Sequence, residues 1–349
     1  MKGTRDLRVD NVRGVLIFLV VAGHFLLPVN GERLTMNLMY LIYSFHMPCF
    51  MLVSGYLSHG IYTRERGFRW DRWVQLLWLF ILFKLMVNVT EGMLAGQIRP
   101  VPDFFHESGA PWYLLVLMGY YLLVPLFYLL RHWRILVLAA LSLACAASGY
   151  LPFLSDFLAM DRFFAFAVFF FLGYYVRKED ADRFFASPVR RIVQGAALLL
   201  GLGAVCLTYD FLQPYTLVVY GAAYGRFPEP VQPFCFLLAL FWQAGATLLS
   251  LGLAASLPAV RIPLFTTLGQ RTLQIYMLHR PIRDLWQYFG LAALVNARSA
   301  WSVAGLMMGS FLLTLVLGCG PIAVLFAWIR NLPQALAARI FPQKERNRL

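Results

Sequence analysis

Arg5-Asp6-Leu7-Arg8-Val9-Asp10-Asn11-Val12-Arg13-Gly14 stands near the start of the chain, and the apolar run Val15–Val29 behind it holds one histidine, His24. Arg13 and His24 are eleven positions apart, which at 100° per residue falls within about 20° of three full helical turns. Both side chains therefore share one helical face, roughly 16 Å apart along the axis. If the run crosses a bilayer, Arg13 sits at one water boundary and the histidine well inside. An ionisable group held in hydrocarbon is costly and reads by default as functional.

Composition places the whole chain in a membrane. It is 60% hydrophobic and 13% charged over 349 residues, with a mean hydropathy of +0.66, against roughly 45–50% and about 25% for globular domains. A signal peptide is the rival reading of the N-terminus, but no small-x-small cleavage pattern follows Val29, and further apolar runs of equal length do. Stretches long enough to span hydrocarbon lie near 12–29, 38–58, 74–94, 112–130, 135–151, 162–177, 192–211, 235–256, 268–290 and 302–328. The expected fold is all-α, a polytopic integral membrane protein with about ten transmembrane helices. Residues 1–330 form the membrane domain and 331–349 a basic cytoplasmic tail lying on the inner lipid surface.

The net charge of +13 could suggest nucleic acid, but its placement argues for topology instead. Ten spans leave 22 Lys and Arg on one side, 5 on the other and 3 within spans, so both termini are expected in the cytoplasm by the positive-inside rule. No nucleic-acid partner is needed. The five cysteines lie in apolar runs without a CxxC pair, which supports neither a disulfide framework nor a metal site. The connection 212–234, punctuated by Gln213-Pro214-Tyr215 and Phe227-Pro228-Glu229-Pro230, could form a lid or re-entrant segment.

Polar groups then recur at one depth. His24 lies in the outer part of the first span, His46 in the second within Ser44-Phe45-His46-Met47-Pro48, and His279, Arg280, Arg283 and Asp284 in the outer half of the ninth. One membrane histidine bonded to a carbonyl is ordinary structure; several ionisable groups from three helices at one level favour a site. Pro48 and Pro281 should free backbone groups beside His46 and His279. Lys84, Asn88 and Glu91 form one polar face of the third span, either a Lys–Glu brace or a substrate contact. Trp112 and Tyr113 suit interfacial anchors better than sugar platforms. Asp10 and Arg13 form a helix-start ion pair or, for Arg13 with Arg8 or the cluster Arg64–Arg72, a grip on phosphates.

These residues carry a resemblance. Asp10-Asn11-Val12-Arg13-Gly14 with His24 after Ala22-Gly23 is similar to the opening motif of the acyltransferase 3 family. So, in order, are Ser44-Phe45-His46-Met47-Pro48-Cys49-Phe50 with Ser54-Gly55-Tyr56, Pro111-Trp112-Tyr113-Leu114, and Leu268-Gly269-Gln270-Arg271 through His279-Arg280-Pro281. The resemblance covers nearly the whole chain. It implies a multi-pass O-acyltransferase of the bacterial cytoplasmic (inner) membrane, moving acetyl from acetyl-CoA to a sugar hydroxyl of a surface or exported glycan, with Arg13 and His24 as the essential pair. The group it resembles contains fucose 4-O-acetylases and polysaccharide acetylases. Arg280 departs from the family pattern, which often has an uncharged residue there.

Acyl transfer to an alcohol needs a base and a stabilised oxyanion. His24 is expected as general base, with a transient acyl-histidine as the variant; His46 or Tyr276 would be the oxyanion donor. Arg13, Asp10 and Arg8 would hold acyl-CoA. His279, Arg280, Tyr276, Trp112, Lys84 and Glu91 would meet the acceptor. The alternative is a non-catalytic polysaccharide exporter or flippase, for which a polar cavity at mid-membrane is also expected.

Overall fold

The computed structural model describes residues 5–340 except 98, 108, 152, 213–216 and 220. The Gln213-Pro214-Tyr215 punctuation and the tail beyond 340 lie outside the described residues. Helix α1 (Leu7–Leu26) starts where the Asp6 carboxylate accepts from the N–H groups of Arg8 and Val9 at 3.1 and 3.2 Å, satisfying two otherwise orphaned donors. A 3-10 turn containing Pro28 ends it.

The expected span 38–58 is broken in two, α2 (Arg33–Tyr43) and α3 (His46–Tyr56). The break at Ser44 and Phe45 leaves carbonyls without helical donors, and side chains take them: Trp242 Nε1 donates to Ser44 O at 2.8 Å, and His46 Nδ1 bonds Ile42 O at 2.7 Å. Pro48 thus sits in the first turn of α3, where a missing N–H costs nothing. The carbonyl that Pro48 leaves free, that of Ser44 four residues back, is the one Trp242 takes.

A two-residue hairpin, β1 (Tyr62–Thr63) and β2 (Gly67–Phe68), is the one departure from the all-α expectation among the described residues; Gly67 supplies its positive φ. Then come α4 (Trp70–Leu94), α5 (Trp112–Leu129), α6 (Arg134–Ser148), α7 (Met160–Tyr175), α8 (Lys178–Ala186), α9 (Pro188–Leu207), α10 (Tyr209–Leu212) and α11 (Cys235–Ser256). The expected ninth span begins with a separate short helix, α12 (Pro263–Gln270), before α13 (Thr272–Tyr288). The expected tenth span ends at Gly318, where α14 (Ala300–Leu317) gives way to α15 (Gly320–Ile340).

Among the described residues, seven helical stretches are long and apolar enough to cross a membrane, Trp112–Ser148 taking in two of the expected spans. The protein is therefore an all-helical, multi-pass membrane fold. α7 and α13, at 16 and 17 residues, are shorter than the roughly 20 residues that hydrocarbon thickness asks for.

Side chains tie the connections into two ends. At one, Tyr56 Oη donates to Asp6 at 3.3 Å, Arg8 lies 4.4 Å over the Phe185 ring, and Asn11 Nδ2 donates to Pro258 O and Val260 O at 2.9 Å each. At the other, Arg33 pairs with Asp210 at 2.7 Å and Arg298 with Glu32 at 2.8 Å. α15 stays at the first end. Arg271 Nη1 holds Gly318 O at 2.5 Å, Trp78 Nε1 donates to Ile329 O at 2.9 Å, and Gln75 donates to Asn331 at 3.1 Å. A glycine at 318 and Pro321 in the first turn of α15 explain why the apolar pattern does not continue as one rod.

Helices in lipid gain little from hydrophobic burial and depend on close approach. Gly14 lies against the backbone of Phe265, and Gly269 against that of Asp10, so α1 and α12 touch through two glycines. Gly55 and Gly173 do the same for α3 and α7, against Phe170 and Leu52. A Cβ at any of the four would overlap a main chain.

Candidate active site

α1 and α13 run side by side and meet at two levels. Lower down, Arg13 Nη2 donates to Thr272 Oγ1 at 2.6 Å. Higher up, the rings of His24 and His279 lie 4.9 Å apart at 59°. Each helix presents its two residues on one face because eleven residues on α1 make about three turns and seven on α13 about two.

Around Arg13 the opening motif divides its labour. Asn11 is fully buried, and its Oδ1 accepts from Thr266 Oγ1 at 2.5 Å. Asp10 is buried and bound by Arg5 at 2.5 and 3.1 Å and by Gln270 at 3.1 Å, with Arg13 farther away at 3.7 Å. Both residues dock α12. Arg8 points elsewhere, its Nε on Leu257 O at 3.1 Å; five residues on a helix is 140° from Arg13. Of the three expected acyl-CoA contacts, Arg13 lines a cavity between α1 and α13 that neither Asp10 nor Arg8 lines.

That cavity, about 210 Å³, is lined by Arg13, Ser54, Tyr113, Thr272 and Tyr276 among others. Leu57, Leu76, Tyr121 and Leu273 also wall a second space of about 380 Å³ that carries Arg69, Arg72 and Arg330. The upper lining of the first cavity is Val20 and Tyr276, one turn below His24 and His279. Tyr276 Oη is bonded to Ala110 O, and its ring lies 6.1 Å from that of His279. The connection 95–111, whose end carries Ala110, therefore reaches Tyr276, while the described part of 212–234 packs against α6 and α11, Tyr224 Oη donating to Ala146 O at 2.6 Å.

His279 is wholly buried, with Nδ1 on Ile275 O at 3.1 Å. Its Nε2 is buried without a partner, and so is Nδ1 of the half-buried His24. His46 packs edge-on against Tyr43 at 4.9 Å and, among the described residues, makes no ring contact with either histidine. Because a carbonyl only accepts, His46 carries its proton on Nδ1 and offers Nε2 as an acceptor. Tyr276 spends its proton on Ala110. As placed, neither expected oxyanion donor is free to donate.

Beside the pair, Arg280 is ion-paired to Glu91 and lies 3.2 Å from Asp284; Arg283 lies 3.1 Å from the same carboxylate, and Thr90 Oγ1 donates to it at 3.0 Å. Glu91 thus reaches α13, leaving Lys84 to bind Glu107 at 2.6 Å and His106 O at 3.1 Å. The Lys84–Glu91 brace suggested by spacing does not form. Burial pushes the Glu107 carboxyl above the ordinary range although Lys84 pulls the other way. Lys84, Asn88, Glu91, Asp103 and Glu107 line a polar cavity of about 470 Å³ at the His24 end. Trp112 stacks on Phe166 at 5.2 Å beneath Arg162, and Tyr113, in the lining of the first cavity, bonds Ser54 at 2.6 Å.

The sequence pattern of a known family, described as an acyltransferase domain, matches residues 6–327. The chain belongs to the acyltransferase 3 family. Among curated relatives of this acyltransferase-family chain, it is 32% identical over 183 residues to nodulation protein NolL of Sinorhizobium fredii (strain NBRC 101917 / NGR234), covering 46% of this chain and 49% of that protein. It is 28% identical over 153 residues to nodulation protein NolL of Mesorhizobium japonicum (strain LMG 29417 / CECT 9101 / MAFF 303099), covering 41% of each. The matched part spans about half or less of these relatives. No solved structure matches the chain.

Thr272, Asn11 and Thr266 escaped sequence reasoning as members of the site. Motif membership drew attention to Asn11 and Thr272, but short polar residues on a helix carry no spacing signal for the partner they find across space.

Proposed function

We propose that this acyltransferase-family protein moves an acetyl group from acetyl-CoA in the cytosol to a hydroxyl of a cell-surface or exported glycan, across a bacterial inner membrane with both termini cytoplasmic. The observation that carries the proposal is the line from Arg13, facing a cavity beside a basic vestibule, to the His24–His279 pair on the same two helices. The donor's phosphates stay with Arg13 and the neighbouring Arg69, Arg72 and Arg330, where charge-assisted bonds are strong. The uncharged pantetheine arm carries the thioester inward along α1. His24 takes the hydroxyl proton as the acceptor oxygen attacks. Tyr276, between the cavity and His279, must swing from Ala110 to let the thioester through. The acceptor comes from the opposite side, where Glu91, ion-paired to Arg280, lines the polar cavity.

The test is transfer of radiolabel from acetyl-CoA to glycan in membrane vesicles of expressing cells, beside glycan export by the same cells. Label in the glycan, lost in His24→Ala with export intact, is the expected result. Export that depends on the protein, with no acetyl-CoA consumed, would establish the exporter alternative instead.

A further inference from the structure

Two buried ring nitrogens without partners lie on adjacent helices, one on each member of the pair: Nδ1 of His24 and Nε2 of His279. A buried polar atom left unbonded is costly, on the order of 1–3 kcal/mol. The tautomer of His279 follows from its own bond. Its Nδ1 faces a carbonyl at 3.1 Å, so Nδ1 holds the proton and Nε2 of the neutral ring is an acceptor. An acceptor needs a donor, and the adjacent ring, 4.9 Å away between centroids, can supply one from Nδ1. His24 Nε2 is not among the buried unpartnered atoms, so the accessible part of this half-buried ring lies away from Nδ1.

We propose that His279 is a positioning residue: on a small turn of either ring that closes the unbonded pair of nitrogens, its Nε2 accepts the Nδ1 proton of His24 and fixes the tautomer in which His24 Nε2 carries the lone pair. The chain of contacts runs from Ile275 O through His279 to His24, so the backbone of α13 sets the chemistry of α1. The arrangement follows the logic by which a third group holds a catalytic histidine in the right tautomer. The inference rests on the base role proposed for His24. In the step, the acceptor oxygen forms a bond to the acyl carbon while the carbon–sulfur bond breaks. The hydroxyl proton passes to His24 Nε2 and then to the departing thiolate. His279 neither gains nor loses a proton, but bonds the imidazolium while it lasts.

The test compares His279→Leu with His279→Gln, whose amide oxygen can accept in place of Nε2, using labelled acetyl-CoA and vesicles of expressing cells. His279→Leu should lower kcat on the order of 100-fold or more, with KM for acetyl-CoA within about threefold. His279→Gln should regain about tenfold of that loss. Nitrogen-15 NMR of labelled histidine in the folded wild-type protein should show His24 protonated on Nδ1, independently of how either variant folds. A proton on Nε2, a His279→Leu protein that keeps more than about a third of kcat, or a glutamine variant no better than leucine overturns the proposal. Turnover that survives His24→Ala would instead sink the base role beneath it.

Discussion

The two ends of the α1–α13 contact are built on opposite terms. At the lower end every polar group of the opening motif is engaged, yet Arg13 still opens on a cavity: its side chain is 22% exposed while that of its neighbour Asp10 is 4%. At the upper end the histidines are packed against each other with two nitrogens unbonded. The contrast teaches a division of labour: a cation that opens on a cavity can meet a charged ligand, whereas histidines set among packed helices can hold a base in one orientation.

The contrast breaks most severely at His24. His24→Ala should reduce acyl transfer by about 10²–10⁴-fold while acetyl-CoA binding, followed by calorimetry, stays unchanged. Lys84→Met tests the wall of the polar cavity. It strands the Glu107 carboxylate and should cost about 3–5 kcal/mol of stability, read as a lower Tm in detergent. The cost should shrink as pH falls and Glu107 takes a proton, beginning above the ordinary carboxylate range because burial already favours the neutral form. Arg13→Ala should raise KM for acetyl-CoA about 10–100-fold with a smaller change in kcat, as expected for a lost bond to a charged group. Arg8→Ala sharpens the comparison by doing little. Its guanidinium is bonded to Leu257 O and stacked on Phe185, so KM for acetyl-CoA should move less than about threefold.

Periodic hydrophobicity made most of the spans legible, and the Arg13–His24 spacing put both side chains on one helical face, which the structure sets against α13. What the sequence concealed was set by partners distant in the chain. Spacing along α4 aligned Lys84 with Glu91, but Glu107 and Arg280 decided their pairings. The break between α2 and α3 stands on carbonyl partners supplied by Trp242 and His46, which no local propensity reports. Gly14, Gly55 and Gly269 were visible as motif letters, while their reason, backbone meeting backbone, exists only between helices. Asp10 shows the converse: it is an ion-pair partner of Arg13 at 3.7 Å, as its position suggests, but Arg5 and Gln270 hold it more closely.

The most direct measurement is a structure of the protein with a non-hydrolysable acetyl-CoA analogue bound. The account predicts its phosphates against Arg13 and the basic residues Arg69, Arg72 and Arg330, Tyr276 released from Ala110, and the sulfur-replacing atom within reach of His24. Phosphates seated at the Glu91 and Glu107 end, or an acyl carbon held away from His24 with Tyr276 still on Ala110, would contradict it.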